Sequence, residues 1–529
     1  MKVKKSSVGK IITFIFLFAV IIVPIIRMLF YIDKEAIKSV FSTNLFGKAL
    51  LNSFTSTLVA TIISVALAYA LAWAINRSNI RFKGVISMIL VLPMLIPSVS
   101  HGMGLTILFG NNGVITKLFA LKSTIYGFSG VVIGSVLYSF PVAFLMISDI
   151  LKYEDYSPYE AAQVLGIGKA RQFRAITFPY LRKPLISVIF AVFTMVVTDY
   201  GVPLSVGGQF KTLPVMLYEE VSALNYSIGS FIGIFLLIPA VVAFLFDLFN
   251  KDKANSSYSA KPFEIKKSVV RDISAYVVCA LVALFTMLVI FSFCVQAFTK
   301  LYPIDKSFTF ANFTKTFNKR ADEYIVNSII MSVATALVGT AIAFITAYFT
   351  ARMKNKFTRF LHLISILSLA VPGLVLGLSY VIVFKQSFIY GTLIILILVN
   401  TVHFFASPYL MIYNAFGKMN ENLEDVGSIL GVSRFRIVLN VIIPQSKYTV
   451  LEMFSYFFVN CMMTISAVSL LSTAKNKPLS LLINQFETYN MLECAAVVAL
   501  LILFVNLFMK IAVLVIKKVG ERRNISLNK

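Results

Sequence analysis

Charge is what this chain has least of. Of 529 residues only 13% are Asp, Glu, Lys or Arg, against about 25% in a soluble protein. Histidine occurs three times and tryptophan once. The four cysteines, Cys279, Cys294, Cys461 and Cys494, show no CxxC spacing, so neither a zinc site nor a disulfide framework is indicated. No GxxxxGK[ST] run occurs: Gly9-Lys10, Gly47-Lys48, Gly168-Lys169 and Gly417-Lys418 lack the rest of it. The chain therefore has no phosphate cradle of that type. Three scattered histidines also argue against a membrane enzyme, whose acids and histidines would cluster at one membrane face.

What is present is hydrophobic. Apolar residues make up 58% of the chain, with a mean hydropathy of +0.86. A membrane span needs about 20 mostly apolar residues. The runs predict twelve: 11–31, 50–75, 86–108, 128–151, 185–206, 227–249, 273–298, 324–351, 359–384, 390–413, 449–472 and 490–516. The expected class is an all-α, polytopic membrane protein. The first run is too long for a signal-peptide core and lacks a small-residue cleavage site, so it reads as a retained span. The net charge of +25 does not point to nucleic acid. Of the 48 Lys and Arg, 33 fall in the segments that alternate to one side, counting Arg359 and Lys510 at span ends. Such bias places that side, and both termini, in the cytosol.

The chain is also duplicated. The pairs Asn52/Asn327, Arg77/Arg352, Pro97/Pro372 and Gly102/Gly377 all lie 275 residues apart. The polar stretch 250–272 reads as a cytosolic linker between a first half, 1–249, and a second, 273–529. A second pairing, at an offset of 265, joins two charged loops, 152–184 and 414–448. Each places a glycine (Gly166, Gly431) 13 residues before a proline (Pro179, Pro444). Six spans separate the copies, so the halves are expected as parallel repeats rather than an inverted pair. In each loop a short helix, a glycine permitting positive φ, and a basic amphipathic helix stopped by the proline are expected. One copy alone could be an interfacial helix on anionic lipid. Two copies on one side favour a paired docking surface for a soluble partner.

The first loop, "EAAQVLG" at 160–166, resembles the EAA loop of ABC importer permeases, and the second, "DVGSILG" at 425–431, is a degenerate version of it. The doubled motif resembles the fused, two-half permeases of ferric-ion, thiamine and aminoethylphosphonate importers. The resemblance implies a type I importer permease of two six-helix repeats in a bacterial cytoplasmic membrane, coupled to two ATP-binding cassette subunits. These partners would supply the ATP and magnesium, no cofactor residing in this chain, and an extracytoplasmic binding protein would deliver the solute. It assigns Glu160, Ala161, Ala162, Gly166 and Pro179, with Asp425, Gly427, Gly431 and Pro444, to ATPase coupling. The run from Asp199, "DYGVPLSVGG", resembles the matching segment of that subgroup, making Asp199, Tyr200 and Gly201 candidates for the path. Asp199 either lines an outer gate or caps the following turn. Ferric iron or a small organic solute such as aminoethylphosphonate is the expected cargo.

Intramembrane ionisable residues mark pathways by default. Here they are His101, Asp199, His403, Glu452 and Glu493. They do not pair across the repeat: Asp199 stands opposite Thr464. This argues against the alternative, an ion-coupled secondary transporter, which would place such groups in matched positions. Nothing in the sequence brings His101 and His403 together as a metal pair. Pro93, Pro97, Pro141 and Pro372 are expected to kink their spans.

Overall fold

Helices built on these apolar runs dominate the computed structural model, which describes residues 2–120, 125–250, 261, 263–265 and 267–527. In the first half they are α1 (Val8–Leu29), α2 (Leu45–Asn76), α3 (Lys83–Leu95), α4 (Ser98–Leu118), α5 (Phe128–Lys152), α6 (Ser157–Val164), α7 (Lys169–Val197), α8 (Gly201–Val206) and α9 (Tyr226–Asn250). The second half continues with α10 (Val269–Phe298), α11 (Asp322–Arg352), α12 (Lys356–Ala370), α13 (Gly373–Phe384), α14 (Leu393–His403), α15 (Ala406–Gly417) and α16 (Leu423–Ile429). It closes with α17 (434–463), α18 (Ser466–Ser469), α19 (Leu481–Thr488) and α20 (Leu492–Gly520). Strands are confined, among the described residues, to one antiparallel hairpin, Thr299–Leu301 with Asp305–Phe308.

Eight helices are long and apolar enough to cross a membrane, and three further bent pairs bring the count to eleven. The eleventh expected span, α17, is the one left out of that count. It carries Gln445, Lys447 and Glu452, and it ends at Met463, short of the expected 472. The fifth ends likewise at Val197 instead of 206.

The third and ninth expected spans are broken, not kinked. α3 and α4 meet at 101°, α12 and α13 at 108°, and the breaks fall at the paired Pro97 and Pro372. Proline lacks the N–H of the ladder and pushes its predecessor out of the helical region. Ile96 (φ −121°, ψ 151°) and Val371 (φ −106°, ψ 111°) are both extended. Pro141, by contrast, lies within the unbroken α5.

α2 shows how such a bundle coheres in lipid. It buries Ser53, Ser56, Thr57, Ala60, Thr61, Ser64 and Ala68 and turns Leu51, Phe54, Leu58 and Ile62 outward. Small inward residues let backbones approach, and a hydroxyl pair such as Ser64 Oγ···Ser139 Oγ, 2.8 Å, joins α2 to α5. α11 packs correspondingly on α14 and α15, and also on α17.

The two halves interlock. α1 packs on α13 of the second half, where the Tyr380 hydroxyl donates to Val20 O at 2.8 Å. Reciprocally, α10 packs on α2, α3 and α4 of the first half. Much of the linker, residues 251–260, 262 and 266, lies outside the described residues.

Candidate functional site: two repeated loops and a shared cavity

Both charged loops are built to one plan. In the first, Asp155 Oδ1 accepts from Ser157 N (3.1 Å) and Ser157 Oγ (2.9 Å), opening α6; in the second, Asn420 Oδ1 accepts from Asn422 N (2.9 Å), opening α16. Each short helix ends on its glycine in the left-handed region, Gly166 at φ +66° and Gly431 at φ +71°. An added Cβ at either would meet nothing within 4 Å, so the demand for glycine is purely conformational. Beside each glycine two apolar side chains stand exposed at matched positions: Val164 (88%) and Leu165 (74%), Ile429 (85%) and Leu430 (72%). Isolated exposed apolar residues are ordinary; here an adjacent pair recurs at matched positions on both loops.

The prolines do not stop the second helix. The helix from Lys169 runs through Pro179 to Val197, and 434–463 runs through Pro444. A π turn ends just short of each proline, Phe173–Thr177 and Val438–Ile442, so that only Phe178 or Ile443 separates turn from proline; Phe178 N is bonded to Phe173 O and Ile443 N to Val438 O. The wider turn accommodates the ring and the missing donor without a break.

Glu160 and Asp425 both occupy the first turn of their helices. Glu160 is half-buried and accepts a hydrogen bond from Lys261 of the linker, which holds that ammonium above its ordinary value. Asp425 is exposed and makes no ion pair among the described residues. Ala161 is exposed and Ala162 buried. At the position matching Ala162, Gly427 is buried against Ile437, and a Cβ there would meet Ile437 Cδ1 at 2.2 Å. The weaker motif thus has a local cause: Ile437 occupies the space a second alanine would need.

Sequence reasoning missed the groups that hold these loops. Arg77, at the end of α2, forms a buried ion pair with Glu154 and donates to Leu151 O at 2.9 Å. Arg352, at the end of α11, grips Glu424, with Nε–Oε1 2.9 Å, and donates to Asn420 O at 2.7 Å. The arginines match at offset 275, the one signal available. The acids do not share a register. At the loop offset of 265, Met419 matches Glu154, whereas Glu424 matches Tyr159. The Tyr159 hydroxyl itself bonds Glu154, and burial together with that carboxylate pushes the phenol up from its ordinary value.

Between the two halves lies a cavity of ≈ 500 Å³ lined by residues from both. Asp199, Thr464, Ile465 and Ser466 line one end, and Met146, Ser187 and Phe244 lie further along their helices toward the loops. Asp199 both lines the cavity and caps α8, accepting from Val202 N at 3.0 Å and Gly201 N at 3.4 Å. Tyr200 is fully buried, and its hydroxyl reaches Ile465 O at 3.4 Å. These two residues are themselves 265 apart, so corresponding segments of the repeats meet at the end of the cavity away from the loops. Gly201 permits this approach: a Cβ would come within 2.6 Å of Ile465 Cδ1. His403 lines the cavity; His101 is buried beside Tyr138 with Nδ1 3.3 Å from Ser98 O. Among the described residues no group of three or more His, Cys, Asp or Glu could hold a metal ion.

A family model described as binding-protein-dependent transport system inner membrane component matches residues 64–253 and again 339–518. The chain belongs to that family. It contains the family unit twice, as two fused permease halves in a multi-pass membrane protein. It is 25% identical to the ferric transport system permease protein FbpB of Actinobacillus pleuropneumoniae, over 73% of this chain and 59% of that one. To the putative ferric transport system permease protein FbpB 1 of Haemophilus influenzae it is 24% identical, over 73% of this chain and 64% of that one. The chain thus spans somewhat under two thirds of those relatives' length. A stretch covering 26% of the chain is 30% identical to the thiamine transport system permease protein ThiP of Brucella suis, covering 27% of that protein.

Proposed function

We propose that this permease forms the solute path of an ATP-driven importer, and that its two loops, lying in the cytosol, each dock into one ATP-binding cassette subunit. The observation that carries this reading is the duplicated geometry: a first-turn acid, a left-handed glycine and two exposed apolar residues, repeated 265 residues apart. Ridges of this kind suit grooves on a pair of identical partners. ATP binding would draw the partners together and move both loops in concert. Tyr200 and Ile465 would then part at the far end of the cavity, and hydrolysis would restore the arrangement seen here, closed at that end.

An extracytoplasmic binding protein would deliver the solute, which explains a path lined mainly by hydroxyl and apolar groups. Ferric iron is the first candidate, supported by the relatives' names, and small organic solutes such as aminoethylphosphonate come second. The decisive experiment reconstitutes the chain with its ATPase and binding protein and follows uptake of ferric iron. Glu160→Arg should abolish uptake while the protein still inserts in the membrane. Full uptake by that variant would overturn the docking assignment, and ferric-independent ATP hydrolysis would redirect the search to organic solutes.

A further inference from the structure

The two arginine–carboxylate pairs lie between the loops and the helices that frame the cavity, and nothing so far gives them a task. α2 and α11 are each packed along a neighbour that leads into its loop or out of it, α5 and α17. Each ends in an arginine whose guanidinium is buried. A buried charge pair contributes little net stability compared with apolar packing. Two such pairs in matched places, built from acids in different registers, therefore need a reason beyond stability.

The connections supply one. In the first half a hydrogen-bonded chain runs from Arg77 through Glu154 and the Tyr159 hydroxyl to Thr177 Oγ1, the last step 2.6 Å. It joins the end of α2, the start of the loop, α6, and the π turn of α7. Any displacement of α6 must break this chain or carry the end of α2 with it. In the second half Glu424 sits within α16 itself, so Arg352 holds the short helix directly. Arg352 also fixes the approach to that helix through Met419 O (3.3 Å) and Asn420 O. Ile442, at the position matching Thr177, is fully buried and completes the second assembly by packing.

We infer that Arg77–Glu154 and Arg352–Glu424 are the positioning pairs through which loop movement is transmitted to the helices around the cavity. This rests on the proposed docking of the loops. Neutralising one acid leaves a loop able to bind the ATPase but loosely tied to its half. ATP would still be hydrolysed, with less movement of the path per turnover.

The test uses the whole permease–ATPase complex in inside-out vesicles, with Thr194→Cys, a cavity-lining position, as a reporter of accessibility to a small charged methanethiosulfonate. The parent protein, with its buried or half-buried native cysteines, gives the background. ATP should change the labelling rate of the reporter in the otherwise unaltered complex. In Glu154→Gln and Glu424→Gln the ATP-induced change, normalised to ATP hydrolysed, should fall by about 2- to 30-fold, the range for residues along a coupling route. The exchange Arg352→Glu with Glu424→Arg should restore much of it. Tyr159→Phe, which removes only the hydroxyl and leaves the ion pair, should give a smaller loss and guards against variants that fail to fold. An unchanged ratio of labelling change to hydrolysis in a complex that assembles would overturn the inference alone. Loss of hydrolysis and labelling in strict proportion would also overturn it, leaving a purely structural role. Failure of the unaltered chain to hold any ATPase would sink the docking proposal instead.

Discussion

Loop 152–184 and loop 414–448 reach the same shape by different means. The first is strapped. Linker residues cross it, with Tyr156 N donating to Lys261 O at 3.1 Å and Lys261 N donating to Asp155 Oδ1 at 3.1 Å. Phe263 packs on Tyr156 and Tyr159 at 4.7 and 5.1 Å, and the Arg77 guanidinium lies 3.8 Å from the centre of its ring. The linker then bonds back to the α2–α3 turn through Asn79 Nδ2 and Ile265 O, 3.3 Å. Among the described residues no linker segment crosses the second loop. It relies on the bidentate Arg352–Glu424 pair and on Ile437 seated against Gly427. A duplicated unit thus diverged where the chain between the halves could contribute to one copy and not to the other. The complete motif sits in the copy that the linker touches.

The comparison can be broken most severely at the arginines. Arg352→Met leaves Glu424 buried without its partner, a loss of about 3–5 kcal/mol. In hydrogen exchange, the second loop should open strongly while the first is untouched. Arg77→Met should do less to its own loop, because the linker still holds it. Equal opening in both variants would show that the strap contributes nothing.

Smaller effects are expected at the glycine peculiar to the second loop. Gly427→Ala overpacks against Ile437 and should cost about 1–3 kcal/mol in thermal unfolding of the purified permease. Adding Ile437→Val removes the clashing Cδ1 and should recover most of the loss. If Gly427→Ala is silent, local packing does not explain the departure from the alanine of the first loop.

The smallest effect belongs to the strap's ion pair. Lys261→Ala should speed exchange in α6 modestly and leave α16 unaltered. Because Glu160 raises the Lys261 ammonium above its ordinary value, the lysine stays charged throughout the neutral range, and its side of the contact is lost only as pH rises past the raised value. Exchange corrected for intrinsic rates should therefore show no change in this contact through the neutral range. A lysine-dependent loosening near neutrality would contradict the assignment.

How much of this was legible beforehand varies with the range of the interaction. Left-handed glycines at 166 and 431 were readable because the requirement lies in one residue's backbone. The duplication was readable because both copies keep residue types at constant spacing. Pro97 and Pro372 announced a disturbance, but its size was not: whether a proline kinks or breaks a helix depends on what receives the next segment, here α8 and α18 packing on α4 and α13. At Pro179 and Pro444 the opposite happened, since a π turn absorbed the ring and the helix continued. Of the expected path residues Asp199, Tyr200 and Gly201, only Asp199 lines the cavity, and that Tyr200 meets Ile465 needed the two halves assembled.

By itself the sequence determined the class of the molecule, the number of its repeats and the positions of its loops. Those follow from hydropathy over about 20 residues and from constant offsets, which are properties of the chain taken locally. Tertiary structure alone decided which half each first helix packs on, where the span-like runs turn back, and which acid meets each arginine. Glu154 and Glu424 occupy different registers, and a long guanidinium side chain anchored at the same helix end reaches both. Only the packed bundle, where an unpaired buried charge is costly, selects the partner.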